Sequence, residues 1–101
     1  RQRVALAAAL VADPEVAFLD EPSAGLDPYA RRDVWDLVRA AADRGCAAVV
    51  TTHSFEEAAR LADRVVIIAA GRVVADGTVG QLAPDGDLEA AFFETTRTAR
   101  R

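Results

Sequence analysis

Two short apolar runs, each ending in polar residues, constrain the fold of this chain most. Residues 16–19 read Val-Ala-Phe-Leu and stop at Asp20-Glu21-Pro22, and a second run over 47–52 stops at His53. The uninterrupted apolar run 16–19 is typical of a strand buried on both faces of a parallel sheet, and the β-branched residues of 47–52 favour a second strand. Because the segment between them has the period of a helix, the order predicts an α/β fold.

Helical segments flank the two predicted strands. Apolar spacing predicts a first helix over Gln2–Ala12, and Asp27-Pro28 has the form of an N-cap followed by proline at the first helical position. Gly45 is suited to end this second helix. The predicted buried stripe of the second helix comprises Val34, Leu37, Val38 and Ala41.

The remaining residues predict a hairpin between short helices. A third strand is expected over 65–70, and Gly71 turns the chain into an edge hairpin that includes 73–75. The apolar spacing of 88–92 predicts a short final helix, followed by a polar, frayed tail over 95–101. Two segments, Ser54 to Glu57 and Thr78 to Gln81, have the pattern of capping boxes that begin helices.

Composition narrows the class of protein. A length of 101 residues leaves room for one small domain and not for two, and a hydrophobic fraction of 51% is enough for a core. Twelve arginines against 16 acidic residues give a net charge of −4, which argues against a dedicated nucleic-acid or membrane-surface binder. The longest apolar run, 4–12, is far shorter than the roughly 20 residues of a membrane span. The chain begins with arginine rather than methionine, so we expect a piece of a longer protein.

The polar residues that follow the two strands are the candidates for chemistry. Parallel strands bind ligands at their carboxyl ends, so Asp20, Glu21 and His53 are expected at one edge. A carboxylate there can hold hydrated Mg²⁺, its neighbour can orient or deprotonate a water, and a histidine can donate to a phosphate. Each also has a plainer interpretation: a solvated turn for Asp20-Glu21, and local backbone bonding for His53.

Other polar residues have structural interpretations of equal or greater weight. Asp27 could cross a subunit interface or could simply cap its helix. The two capping boxes are expected to be structural only, and Cys46 is expected to be buried as a small apolar residue. Arg31 and Arg32 are expected to be solvated.

Taken together, these motifs resemble the ATP-binding cassette (ABC) ATPases. Val16–Pro22 resembles their Walker B strand, Ser23–Pro28 their D-loop, and Thr51–Ser54 their H-loop. Arg1-Gln2-Arg3 with the alanine-rich segment resembles the region after the signature motif. Residues 73–77 with 81–82 resemble the hairpin and helix that close the domain, so the resemblance covers about 1–94.

The resemblance implies a fold and a domain organisation. The expected fold is part of a P-loop NTPase (RecA-like) domain, with a parallel sheet, flanking helices and a C-terminal edge hairpin. Residues 1–94 would be the C-terminal part of an ABC ATPase domain, and 95–101 a polar tail. The expected activity is ATP hydrolysis by the nucleotide-binding subunit of an ABC transporter, which powers transport across the membrane.

The resemblance also implies site residues and cofactors. Asp20 would hold Mg²⁺ through water, and Glu21 would be the general base or the residue that positions the attacking water. His53 would contact the γ-phosphate of ATP and that water. Asp27 and Ser23 would lie at a dimer interface.

The partners that the resemblance implies are two protein subunits. One is a second ABC ATPase subunit, arranged head to tail, and the other is a transmembrane permease subunit. No nucleic-acid partner is expected. The protein would be cytoplasmic, peripheral on the inner face of the cell membrane through the permease.

The sequence departs from the family pattern in what it lacks. It has no lysine, so it contains no complete Walker A loop, which needs Gly-Lys-Ser/Thr. The Q-loop and signature motif are also absent, and all three would lie upstream of Arg1. The 101 residues alone are therefore expected to be inactive.

Two other functions are compatible with these motifs. One is a non-transport ABC ATPase acting in translation or DNA repair, and the other is a non-catalytic interaction module. The loop over 23–28 and the closing hairpin favour a transporter subunit. Residues 88–93 resemble the tails of multidrug or export-type ATPases.

Overall fold

The computed structural model describes Leu10 and residues 14–99, so most of the predicted helix Gln2–Ala12 lies outside the described residues. The chain divides into two compact units, 1–57 and 58–101, which are described separately. The prediction of one domain over 1–94 stays a prediction. In chain order the elements are β1 (Val16–Asp20), α1 (Pro28–Asp43), β2 (Ala47–Thr51), α2 (Phe55–Leu61), β3 (Val65–Ala69), β4 (Arg72–Gly77), α3 (Val79–Leu82) and α4 (Leu88–Ala99).

A parallel β-α-β arrangement forms the first unit. β1 and β2 pair in parallel from Val16 opposite Ala47 to Asp20 opposite Thr51, and α1 connects the strands and packs against β2. Parallel strands require such a crossover, because a tight turn cannot return the chain to the same end of the sheet. The parallel sheet and both strand positions predicted from the apolar runs are confirmed.

One face of this sheet is open, which corrects the expectation that β1 is buried on both faces. Val16 and Phe18 are 49% and 78% exposed, and Val49, the register partner of Phe18, is 48% exposed. Alternate residues along both strands are half-buried. An apolar sequence indicates that a strand is covered on both faces when the whole domain is present. The described part of this unit has only two strands, with α1 packed against β2, so one face of β1 is left open.

Helix α1 begins and ends as its sequence predicts. The Asp27 carboxylate accepts the backbone N–H of Ala30 at 2.8 Å, and Pro28 is the first helical residue. Beyond the last turn, Gly45 has φ of 105°, a backbone conformation that side-chain-bearing residues rarely adopt. The buried face differs from the prediction in one position: Trp35 is 3% exposed, whereas Leu37 is only partly covered. The buried residues of α1 are Val34, Trp35, Val38 and Ala41.

An antiparallel hairpin forms the centre of the second unit. β3 pairs with β4 through the two-residue turn Ala70-Gly71, in which φ is positive at both residues, at 53° and 74°. This is the turn whose twist suits a two-residue hairpin loop. The predicted hairpin is confirmed. Among the described residues the strands form two separate sheets, so β3 belongs to the hairpin and not to the parallel sheet.

Short helices follow the hairpin. Thr78 and Gln81 form a complete capping box at the start of α3, as predicted. Helix α4 continues to Ala99, so the expectation of a frayed tail from residue 95 is wrong over 95–99. Thr96 is buried, with 7% of its surface exposed. Its hydroxyl donates to the Phe92 carbonyl one turn earlier at 2.7 Å, so the buried polar group is hydrogen-bonded. No helix in the described part of the chain is long and apolar enough to cross a membrane.

Replacing Gly45 with alanine is expected to lower the free energy of unfolding by about 1 kcal/mol, because a side chain is strained at this positive φ. Gly80→Ala in α3 is the matched control. A Cβ at Gly80 meets nothing closer than the Thr78 hydroxyl at 3.9 Å, and alanine is the better helix former. Urea unfolding measures both variants, and equal loss of stability in the two would contradict this explanation.

Candidate functional site

The carboxyl ends of β1 and β2 meet at one edge, as the sequence predicts. Asp20 and Thr51 are register partners at the last position of their strands. The Thr51 hydroxyl donates to Asp20 Oδ1. This bond from the neighbouring strand holds the Asp20 carboxylate, and because Asp20 is exposed the carboxylate also meets solvent.

Glu21 leaves the strand in an unusual backbone conformation. Its φ is 45°, in the left-handed region, and its N–H donates to the Thr51 carbonyl at 2.7 Å. Its own carbonyl accepts the N–H of Ala24 at 3.1 Å, which closes the turn. A non-glycine residue in this region costs on the order of 1–3 kcal/mol, and such strain is concentrated at functional sites.

His53 lies beside Glu21. The backbone N–H of His53 donates to Glu21 Oε1 at 3.2 Å, although the two residues are 32 positions apart. His53 is exposed and Glu21 is partly exposed. The structure therefore brings Asp20, Glu21 and His53 to the same edge of the sheet, where all three can meet a ligand from solvent.

Ser23 and Asp27 stand apart from this edge in their contacts. Asp27 caps α1, which confirms its structural interpretation, and its interface role stays a prediction. Ser23 is 4% exposed, and its hydroxyl donates to Glu57 Oε2. Its place at a dimer interface stays a prediction, and its side chain is hydrogen-bonded within the chain.

A buried polar cluster of Ser23, Trp35 and Glu57 was not predicted from the sequence. The Trp35 indole N–H lies 3.0 Å from Glu57 Oε2 and 3.2 Å from Ser23 Oγ. Glu57 is only 1% exposed. The signal in the sequence was the tryptophan beside the apolar stripe of α1, because a buried indole N–H needs an acceptor.

This cluster corrects two expectations. The Ser54 hydroxyl accepts the N–H of Glu57 at 3.1 Å, but the Glu57 carboxylate binds Ser23 and Trp35 and the Ser54 N–H donates to Thr52 Oγ1 at 2.9 Å. The reciprocal bond of the predicted capping box is therefore not made. Arg31 is half-buried rather than fully solvated, with its guanidinium carbon 5.8 Å from the centre of the Trp35 ring. Arg32 and the buried Cys46 are placed as expected.

The side chains at this edge are suited to bind magnesium through one carboxylate, together with water and phosphate. Among the described residues no group of three or more His, Cys, Asp or Glu side chains could hold a metal ion. Mg²⁺ is usually bound through one or two carboxylates, with waters and substrate phosphates completing its coordination. The exposed Asp20 carboxylate, oriented by Thr51, fits that role.

The fold and this edge together define an α/β domain of the P-loop NTPase type. A solved structure described as the ATP-binding subunit of an ABC transporter matches 86% of this chain and 38% of its own, with a TM-score of 0.74 and 28% identity. The structure of cbiO1 from Clostridium perfringens, described as part of the ABC transporter complex cbiONQ, matches 96% of this chain and 39% of its own, with a TM-score of 0.69 and 28% identity.

Sequence comparison gives the family. The daunorubicin/doxorubicin resistance ATP-binding protein of Streptomyces peucetius is 50% identical over 82 residues, which are 81% of this chain and 25% of the relative. The Nod factor export ATP-binding protein I of Rhizobium leguminosarum is 47% identical over 77 residues, 76% of this chain and 25% of the relative. The chain belongs to the family of ABC transporter ATP-binding proteins, and it spans about a quarter of the length of these curated relatives.

A family model also matches the first unit. It is described as "AAA domain, putative AbiEii toxin, Type IV TA system" and covers residues 2–58, the span that includes every predicted site residue. We do not assign the toxin function in that description to this chain. The resemblance to ABC ATPases that the motifs indicated is confirmed by the relatives and the solved structures.

The strain at Glu21 can be measured by comparing two substitutions that both remove its carboxylate. Glu21→Gly is expected to be more stable than Glu21→Ala by about 1 kcal/mol, because glycine adopts φ of 45° without steric cost. The same pair of changes at Glu56, inside α2, should give the opposite order, since alanine is favoured in helices. Chemical denaturation measures the four variants. A Glu21→Gly variant that is no more stable than Glu21→Ala would contradict strain at Glu21.

Proposed function

We propose that the protein carrying this chain is the ATP-hydrolysing subunit of an ABC transporter, and that this chain supplies the residues that act on the attacking water. One observation carries the proposal: the bond from the His53 N–H to Glu21 Oε1, at the edge where Asp20 also lies. A carboxylate, a histidine and a candidate magnesium ligand on one strand edge are among the groups that hydrolysis of a phosphoanhydride requires.

In the proposed reaction, Glu21 acts on water. Its Oε1 is held by the His53 N–H, which fixes the carboxylate while Oε2 can accept a proton from the water or orient it. The rigid turn between β1 and α1 limits movement of this carboxylate. Positioned general bases contribute typically about 10²–10⁴-fold in rate, so Glu21 is expected to affect turnover far more than binding.

His53 and Asp20 act on the phosphates in this proposal. The exposed imidazole of His53 can donate a hydrogen bond to the γ-phosphate, which stabilises charge that develops there. Asp20 would hold Mg²⁺ through water, and the bound ion would neutralise charge on the β- and γ-phosphate oxygens. The Thr51 hydroxyl keeps the Asp20 carboxylate in place for that contact.

The proposal includes two protein partners and a cellular location. The subunit would pair head to tail with a second ABC ATPase subunit, with Asp27 near the shared surface, and would dock on a transmembrane permease at the cytoplasmic face of the membrane. The names of the relatives, which include drug resistance and Nod factor export, favour export as the direction of transport. Co-purification of a membrane subunit in detergent supports this partner, whereas co-purification of ribosomes or DNA would support a non-transport ABC ATPase.

Glu21→Gln in the full-length polypeptide is expected to reduce ATP turnover by about 10²-fold or more, because the amide cannot take a proton from water. Binding of ATP should be nearly unchanged, since the amide keeps the shape of the carboxylate. Phosphate release measures turnover, and equilibrium binding of a fluorescent ATP analogue measures affinity. Glu15→Gln, at an exposed glutamate just before β1, is the matched control and should behave as the wild type. Loss of nucleotide binding with unchanged turnover per bound nucleotide would contradict the role of Glu21.

The 101 residues by themselves are expected neither to bind ATP tightly nor to hydrolyse it. The chain has no lysine, so the phosphate-binding loop with its Gly-Lys-Ser/Thr is absent from it. Isothermal titration with MgATP and a phosphate-release assay check this directly. Turnover by the purified chain that Glu21→Gln abolishes would overturn the prediction.

A further inference from the structure

The buried cluster of Ser23, Trp35 and Glu57 joins three segments that are distant in the sequence. Ser23 lies two residues after Glu21, Trp35 lies on α1, and Glu57 lies four residues after His53. All three side chains are buried, with exposed fractions of 4%, 3% and 1%. The cluster therefore joins the segment that follows Glu21 to the helix that follows His53.

Glu57 is the acceptor on which the cluster depends. A single oxygen, Oε2, accepts both the Ser23 hydroxyl and the Trp35 indole N–H, the latter at 3.0 Å. A carboxylate buried this fully is costly unless its bonds are satisfied, so removing it leaves two buried donors without this acceptor. The Trp35 N–H retains the Ser23 hydroxyl at 3.2 Å as a longer contact.

The position of the cluster matters because the Glu21 conformation requires support. A left-handed glutamate persists only where the surrounding structure fixes it. On one side Glu21 is fixed by its bonds to Thr51 and His53, and on the other side the chain enters Ser23, whose hydroxyl is anchored to Glu57. Without that anchor, the turn after Glu21 can relax toward ordinary backbone angles and move the carboxylate.

We propose that Glu57 is a positioning residue for ATP hydrolysis. By binding Ser23 and Trp35, Glu57 keeps Glu21 and His53 in their positions relative to each other. This inference rests on the proposed function of the edge. Glu57 touches neither substrate nor the reacting atoms in this proposal. It acts through the two loops, so its loss should lower kcat and leave the KM for ATP largely unchanged.

The test compares Glu57→Ala with Glu57→Gln in the full-length polypeptide. The alanine variant is expected to lose about tenfold or more in kcat, because displacements of about 1 Å at a catalytic group can cost up to about 10²-fold. Its KM for ATP should change less than about threefold on the same argument. The glutamine variant should recover most of the rate, because one carbonyl oxygen has two lone pairs and can accept both donors.

Two further variants control for folding and for general effects of charge. Glu56→Ala removes the adjacent, exposed glutamate, whose ion pair with Arg31 is 3.9 Å long, and should retain wild-type kcat. Ser23→Ala removes one donor with little change in volume and should lower kcat in the same direction as Glu57→Ala. If Glu57→Ala does not fold, Ser23→Ala decides the question, and wild-type kcat in that variant would overturn the inference.

A readout independent of turnover tests the cluster itself. The Trp35 indole N–H should exchange slowly with solvent deuterium in the wild type, as observed by NMR, and much faster in Glu57→Ala but not in Glu56→Ala. Fast exchange in the wild type, or unchanged kcat in a folded Glu57→Ala, would overturn the inference alone. A glutamine variant as slow as alanine would also overturn it, because charge rather than anchoring would then decide the rate. Absence of turnover in the wild-type protein would overturn the proposed function instead.

Discussion

The parallel register of β1 with β2 is the constraint on which the candidate site depends. Because Asp20 pairs with Thr51, the two strands end at the same level, and the residues that follow them become neighbours. Thr51 then binds both residues of the acidic pair, its hydroxyl to Asp20 and its carbonyl to the Glu21 N–H. A shift of one residue would turn every side chain of one strand to the opposite face and separate these groups.

A set of buried polar contacts joins the segments next to this edge. Ser23, Trp35 and Glu57 bind one another and are buried, and buried polar groups of this kind specify one arrangement when their bonds are made. The stretched Arg31–Glu56 pair at the surface contributes little by comparison. Asp20 and His53 are thus exposed to solvent, whereas Ser23, Trp35 and Glu57 are buried.

The exposed face of the parallel sheet is consistent with the partial span of the chain. Phe18 and Val49 lie side by side on that face and remain open to solvent, and the curated relatives are about four times as long as the matched segment. Since apolar residues in strands of α/β domains are normally covered on both faces, the sequence of β1 is suited to a larger assembly than the described residues provide.

The sequence by itself determined the elements and the residues at the edge, because these follow from local rules. Strand-ending Asp20, the Asp27-Pro28 helix start, the Gly45 end and the Ala70-Gly71 turn are each set by neighbouring residues or by backbone angles. Apolar patterning could not determine burial of β1, because that depends on what covers it. Only the tertiary structure decided that Glu57 turns inward to Ser23 and Trp35 and that the His53 N–H meets Glu21. Those bonds join residues 34, 22 and 32 positions apart, and no local pattern encodes which distant acceptor a donor finds.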